Sequence, residues 1–420
     1  MPTYIINIGS LYGILPAGVE RLRGKEMSAV ETIGDAWLAI DDAGTISGYG
    51  AMAELDRAVL AAPGVEVDDA QGGSVLPAFC DSHTHIIYAG SREQEFEDKI
   101  RGLSYAEIAK RGGGILNSVD RLRMADEDTL YAGAMERARE VMLKGTGALE
   151  IKSGYGLSTA DELKMLRVAR RIAADSPLEV KTTFLGAHAV PREYIGRQDE
   201  YVELICREML PAVAAEGLAD YVDVFCDEGF FTVGDTDKIL NAAARYGLRP
   251  KIHANELACS GGVQVGVAHE ALSVDHLERM GAAEIEAMRG SRTVATMLPG
   301  ASFFLGMPYA PAREAIDAGL TVALASDYNP GSSPSGDMRF VMALGCIRMH
   351  ITPEESLNAV TINGAAAMDL SGRIGSITVG KAASLIVTKA VPGLAFVPYA
   401  YNTPIFTHIY LKGHKLCCNI

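Results

Sequence analysis

No apolar run in this sequence approaches the ~20 residues a helix needs to cross a bilayer. The stretch Met1 to Glu20 also lacks the basic segment, apolar core and small-residue cleavage site of a secretory signal. The cytoplasm is therefore the expected compartment, with no membrane partner. Paired cysteine spacing is missing as well: the seven cysteines are scattered as Cys80, Cys206, Cys226, Cys259, Cys346 and the adjacent Cys417 and Cys418, which suits neither a disulfide framework nor a zinc ribbon. Positive charge is scarce, with 38 Lys and Arg against 53 Asp and Glu and a net charge of −15. That balance argues against a nucleic acid or an anionic membrane surface as partner, since either favours clustered Lys and Arg. A small anionic substrate stays open, provided a local basic residue receives it. There is no internal repeat and no low-complexity linker.

What the chain has is alternation. Its 420 residues exceed the usual single core, and a large barrel with a smaller appended unit fits that length. Short apolar or β-branched runs recur near residues 75–85, 148–153, 179–188, 221–226, 249–254, 273–277, 292–298 and 321–327, which is eight runs. Stretches rich in Ala, Glu, Arg and Leu lie between them, near 126–144, 161–175, 200–215, 233–246, 262–269, 282–289 and 310–319. This is the β/α alternation of a parallel sheet, and eight units predict a (β/α)₈ TIM-like barrel over residues 75–372. The flanks, 1–74 and 373–420, read as short strands and turns. They predict one small β-sandwich built from both termini.

Chemistry in such a barrel sits at the carboxyl ends of the strands. In Asp81-Ser82-His83-Thr84-His85, alternation along a strand puts His83 and His85 on one face, which is a metal-ligand spacing. Other expected strand ends carry Tyr155, His188, His253 with Glu256, His276 and Asp327, whereas His269, His350, His408 and His414 lie elsewhere. His83, His85, His253 and Asp327 make a set of three nitrogens and one carboxylate that suits Zn²⁺ or Fe²⁺ with a position left for water. Taken singly, His253 also reads as a hydrogen-bonded strand-end residue and Asp327 as a cap before Asn329-Pro330. Glu256 stands three residues after His253, placed to move a proton between water and a leaving nitrogen. His276 reads as a group that polarises a substrate carbonyl, as a further ligand, or as a packed histidine. Arg92 either clamps a substrate carboxylate or pairs with Glu93 or Glu95. Tyr155 and His188 read as hydrogen-bonding groups at the rim or as packing. Gly112 to Gly114 and Gly261 to Gly266 lack the strand–Gly-x-Gly-x-x-Gly–helix form, so phosphate binding is not expected. Cys226 has no adjacent histidine to activate it and reads as core.

The order of His-x-His on strand one, His on five, His on six and Asp on eight resembles the amidohydrolase superfamily. The segments Ala89–Glu93, Glu150–Leu157, Phe184–His188, His253–Glu256 and Ser326–Ser332 together look like the imidazolonepropionase family within it. That resemblance covers roughly residues 70 to 385. It implies hydrolysis of 4-imidazolone-5-propanoate to N-formimidoyl-L-glutamate, one divalent metal ion held by His83, His85, His253 and Asp327, and catalysis by Glu256, His276 and Asp327. It also implies that Arg92, Tyr105, Tyr155, His188, Glu256, Asn329, Gly331 and Ser332 contact the substrate, and that the expected assembly is a homodimer. Strand four ends Phe225-Cys226-Asp227 without a lysine to bridge two metals, and Lys152 on strand two is a less suitable bridge, so a single ion is expected. Ser384 stands where the superfamily often has Asp. Two other readings remain: an aminohydrolase acting on a purine or pyrimidine, for which Arg92 has no carboxylate to bind, and a catalytically silent barrel serving as a binding module.

Overall fold

The computed structural model describes residues 1–103, 107 and 113–417. Tyr105 and Cys418 lie outside the described residues. The chain opens with β1 (Thr3–Ile14), β2 (Glu31–Ile40), β3 (Ile46–Ala51), β4 (Glu66–Asp69) and β5 (Ser74–Pro77). It continues through β6 (Phe79–Asp81), β7 (Thr146–Lys152), β8 (Glu179–Ala187), β9 (Tyr221–Cys226), β10 (Arg249–Ala254), β11 (Ser273–His276), β12 (Val294–Met297) and β13 (Val322–Leu324). It ends with β14 (Leu385–Thr388), β15 (Phe406–Leu411) and β16 (His414–Cys417).

Strands β6 to β13 pair in sequence order as one eight-stranded sheet, all in parallel. Every residue of β7 and β9 is buried, as expected when helices cover a parallel sheet on one side and a packed interior fills the other. The ring closes just beyond the strand ends through a parallel bridge between Thr84 and Tyr328. Backbone bonds Asp327 N–H to His83 O (3.0 Å) and His85 N–H to Tyr328 O (2.9 Å) complete that closure. The closure places both histidines of the first strand beside Asp327.

The helices between the strands start where side chains can cap them. Asp126 accepts from Thr129 N–H at 2.7 Å before helix Glu127–Leu143, and Ser158 accepts from Asp161 N–H at 3.2 Å before helix Thr159–Asp175. The helix expected over 200–215 is interrupted. It runs Gln198–Leu204, passes through a π-turn at Ile205–Met209 and resumes at Leu210–Ala215. Pro211 has no N–H to give to the preceding turn, and a wider turn absorbs that loss.

The terminal arms meet in a separate mixed sheet of order β16-β15-β14-β5-β1-β2-β3, with β4 alongside β1. It encloses its own apolar core, including Ile5, Ile8, Leu11, Leu38, Ile40, Val75, Leu385 and Val387. The first barrel strand was expected over 75–85. Ser74–Pro77 instead pairs in the mixed sheet, with β1 and β14, and the barrel takes over at Phe79. Helices Met338–Arg348, Pro353–Val360 and Ile362–Ala366 follow the last barrel strand and were absent from the sequence reading.

Candidate active site at the carboxyl ends of the barrel strands

His83, His85, His253, His276 and Asp327 are all at most 3 % exposed, yet their polar atoms converge on one point. One ligand atom from each of His83, His85 and His253, and likewise from His83, His276 and Asp327, lie within 4.8 Å of one another. Asp327 Oδ1 is 3.6 Å from His83 Nε2 and 3.7 Å from His85 Nε2. His83 and His85 bring their Nε2 atoms to 3.3 Å of each other. His83 donates from Nδ1 to Asp275 Oδ2 at 2.7 Å, which leaves its Nε2 lone pair facing the cluster. Burial first, then neighbouring positive groups, pushes both histidines well below the usual imidazole range, so they are neutral. Two neutral imidazole nitrogens aimed at one another need a proton or a cation between them. His85 Nδ1 and His253 Nε2 are buried without a hydrogen-bond partner among the described residues, while His253 Nδ1 lies 3.0 Å from Asp223 Oδ2. Neutral nitrogens, a buried carboxylate and orphaned donor atoms fit a divalent metal.

The backbone marks the same place. Asn255, His276, Leu277 and Asp327 have φ of 55°, 81°, 71° and 54°, in the left-handed region that L-residues with side chains avoid. These positions cluster at the ends of β10, β11 and β13, where strain is held by the surrounding fold.

Glu256 rides on a loop organised by Asp227, which accepts from the backbone N–H groups of Glu228, Glu256, Leu257 and Ala258 at 2.7–3.1 Å. Burial raises the Glu256 carboxyl to about 7, with the His276 charge pulling the other way. Burial would depress His276, but Glu256 and Glu278 outweigh it and raise the imidazole to about 10. Its Nδ1 lies 3.7 Å from Glu256 and 3.6 Å from Glu278. His276 therefore presents as a cation among carboxylates, unlike His83 and His85.

A pocket of about 440 Å³ opens over this cluster. Tyr155, His188, Glu256, Asn329, Gly331, Ser332 and Arg92 all line it. His188 stacks on His85 with ring centroids 5.2 Å apart and donates from Nδ1 to Gly154 O at 3.0 Å. Gly154 has φ +110°, and a Cβ there would press within 2.8 Å of His188 Nδ1, so glycine is needed. Asn329 uses its amide within its own loop, donating to Asp327 O and Ser332 Oγ at 2.7 Å and accepting from Gly331 and Ser332 N–H at 2.8 Å. Ser332 Oγ donates to Asp327 Oδ2 at 3.1 Å. These two side chains shape the loop that holds Asp327.

Of the two readings of Arg92, the structure shows the pairing with Glu95. Its Nε and Nη2 donate to both oxygens of Glu95 at 2.9 and 2.6 Å, and its end faces the pocket, where a Cβ on Gly331 would collide with Nη1. Lys99, Ile115, Phe225, Phe230, Leu257 and Leu305 also line the pocket and went unnoticed in the sequence. A helical stretch over 93–100 would have placed Lys99 one to two turns beyond Arg92, but apolar wall residues carry no such signal.

The family model for the amidohydrolase family matches residues 74–409. An imidazolonepropionase of Christiangramia forsetii is 51% identical over 98% of this chain and 99% of its own length, and one of Flavobacterium psychrophilum is 49% identical over the same shares. The chain belongs to the amidohydrolase family, and within it to the imidazolonepropionases. Among solved structures, a triazine hydrolase variant superposes with a TM-score of 0.76 at 15% identity, covering 100% of this chain and 95% of its own. Escherichia coli guanine deaminase gives 0.75 at 12% identity over 99% of both chains. A Xanthomonas campestris adenosine deaminase with bound zinc gives 0.70 at 16% identity, covering 98% of this chain and 92% of its own. At such identities these neighbours speak for the amidohydrolase barrel alone, whereas the near full-length relatives speak for the branch. No helix among the described residues is long and apolar enough to cross a membrane.

Proposed function

We propose that the chain hydrolyses the ring amide of 4-imidazolone-5-propanoate to N-formimidoyl-L-glutamate, a step of histidine degradation. The observation that carries this reading is the 51% identity to an imidazolonepropionase over 98% of the chain. The pocket adds a guanidinium, Arg92, in a chain of net charge −15, which suits a substrate bearing a carboxylate. One divalent ion, Zn²⁺ or Fe²⁺, is held in this reading by His83, His85, His253 and Asp327. When bound, it supplies Lewis acidity and makes water at the site a nucleophile near neutral pH.

The side chains do the rest. Glu256, with a carboxyl near 7, takes the proton of the attacking water and delivers it to the ring nitrogen as the C–N bond opens. His276, cationic between Glu256 and Glu278, donates to the carbonyl oxygen as negative charge develops there. Asp327 shares the proton path beside Ser332. Arg92 fixes the propanoate, Tyr155 and His188 border the ring, and Phe225 and Phe230, packed at a tilt with centroids 4.0 Å apart, exclude bulk water. A homodimer in the cytoplasm, with neither nucleic acid nor membrane as partner, completes the proposal.

The test is product identity. Purified, metal-loaded protein given the imidazolone should form N-formimidoyl-L-glutamate with no ammonia. Ammonia release with the ring intact would replace this reading with the aminohydrolase one.

A further inference from the structure

Beneath the imidazole cluster, five ionisable side chains fill the centre of the barrel. Glu150, Lys152, Asp223, Lys251 and Asp275 are each 0 % exposed. Lys152 Nζ donates to Glu150 at 2.6 Å and to Asp223 Oδ2 at 2.8 Å, and lies 3.6 Å from Asp275 Oδ2. Lys251 Nζ donates to the other oxygen of Glu150 and to Ser82 O at 2.9 Å, and lies 3.9 Å from Asp275. Thr183 donates to Glu150, and Ser273 to Asp275 Oδ1. The two aspartates then face upward. Asp275 Oδ2 accepts a hydrogen bond from His83 Nδ1–H, and Asp223 Oδ2 lies 3.0 Å from His253 Nδ1 while its Oδ1 accepts from the His253 backbone N–H at 3.1 Å.

Stability does not account for this arrangement. Buried ion pairs recover their desolvation cost poorly, and well-packed apolar residues of similar volume often serve as well. Nor does the ring reach the pocket: none of its members lines it. Its geometry does address the metal-site histidines. A carboxylate on one imidazole nitrogen fixes the tautomer and turns the other nitrogen toward the site. Two lysines shared among three carboxylates leave one negative charge in excess. Together with Asp327, that excess equals the charge of one divalent cation.

We propose that this lysine-bridged carboxylate ring is the positioning device of the metal centre, in which Asp275 and Asp223 aim Nε2 of His83 and His253 at one divalent cation while Lys152 and Lys251 hold the two aspartates in register. The inference rests on the metal reading of the site and adds to it residues that never touch the ion or the substrate. It also explains why Lys152 cannot bridge two metals. Its ammonium is bound by Glu150 and Asp223 below the histidines.

The experiment is a zinc affinity measurement by chelator competition on the full chain, wild type against Asp275→Asn and Lys152→Met, with the thermal midpoint of each metal-free protein alongside. The asparagine is nearly isosteric but can turn its N–H₂ toward His83 Nδ1, so zinc affinity should fall roughly 10- to 100-fold while the metal-free midpoint stays close to wild type. Lys152→Met should also weaken zinc binding. Should that variant fail to fold, Asp275→Asn decides alone. Zinc affinity of Asp275→Asn within twofold of wild type would overturn the positioning role, even if its metal-free midpoint fell. Wild-type protein that binds no zinc would remove the metal reading and this inference together.

Discussion

Arg92 shows how a single side chain can be legible in identity and not in geometry. Its place seven residues after His85 in an acidic chain pointed to a substrate carboxylate, and the structure puts it in the pocket. Pairing with Glu93 or Glu95 was its other reading, and the structure forms the local pair with Glu95; what the sequence left open was which carboxylate it takes and that this one is buried. Arg92→Met should leave metal content unchanged and weaken use of the imidazolone by about 2–5 kcal/mol if the pair with the substrate is buried. A des-carboxy analogue should lose far less, and equal losses for the two would assign Arg92 to structure alone. Gly331→Ala should act through the same residue, since its Cβ would displace Arg92 Nη1. The expected result is a raised KM with kcat closer to wild type, and no further effect when combined with Arg92→Met. Glu256→Gln tests the proton path: kcat should drop on the order of 10²–10⁴-fold with zinc retained, and a drop below tenfold would move that role elsewhere.

At the level of elements, the apolar runs located every barrel strand within a few residues, because parallel strands buried on both faces read as continuous hydrophobic segments. The strand ends then named the histidines, Glu256 and Asp327. What stayed hidden depends on contacts remote in sequence. Asp227 gathers four backbone N–H groups around the Glu256 loop, and the strand expected over 75–85 divides between two sheets. The C-terminal arm carries a further unseen feature. Lys381 is buried where the arm meets the rest of the chain, donates to Ser376 Oγ at 2.7 Å, and is lowered by burial to about 8. The unfolded chain holds that proton up to about 10.4, so the unfolded form binds it more tightly and the folded state gains stability as pH rises from 8 toward 10.4. Lys381→Met should therefore stabilise the protein most at pH 7 to 8, by up to about 3 kcal/mol, with the gain vanishing near pH 10.5. Denaturation of both proteins at pH 7 and pH 10 checks this. A gain that does not shrink with pH would mean the methionine simply packs better.

For the whole molecule, the division of labour follows from closure. The barrel seals through Thr84 and Tyr328, one residue beyond His83 on one side and one beyond Asp327 on the other, so the act of closing assembles the site. The mixed sheet built from both termini joins the two ends of the chain beside the barrel, with β5 of the N-terminal arm paired to β14 of the C-terminal arm. The architecture and the candidate site residues were readable together because six of the eight strand ends carry those residues. The ion ring beneath was not, since Asp223 and Asp275 read in sequence as ordinary strand residues and Lys152 is weighed there only as a metal bridge. The central claim is that water opens the ring at its carbonyl carbon. Turnover of 4-imidazolone-5-propanoate by the metal-loaded protein in H₂¹⁸O, followed by mass spectrometry, tests it most directly. The account predicts N-formimidoyl-L-glutamate carrying a single ¹⁸O in the newly formed carboxylate, with no ammonia released; an unopened ring, or ¹⁸O entering a deaminated heterocycle, would contradict it.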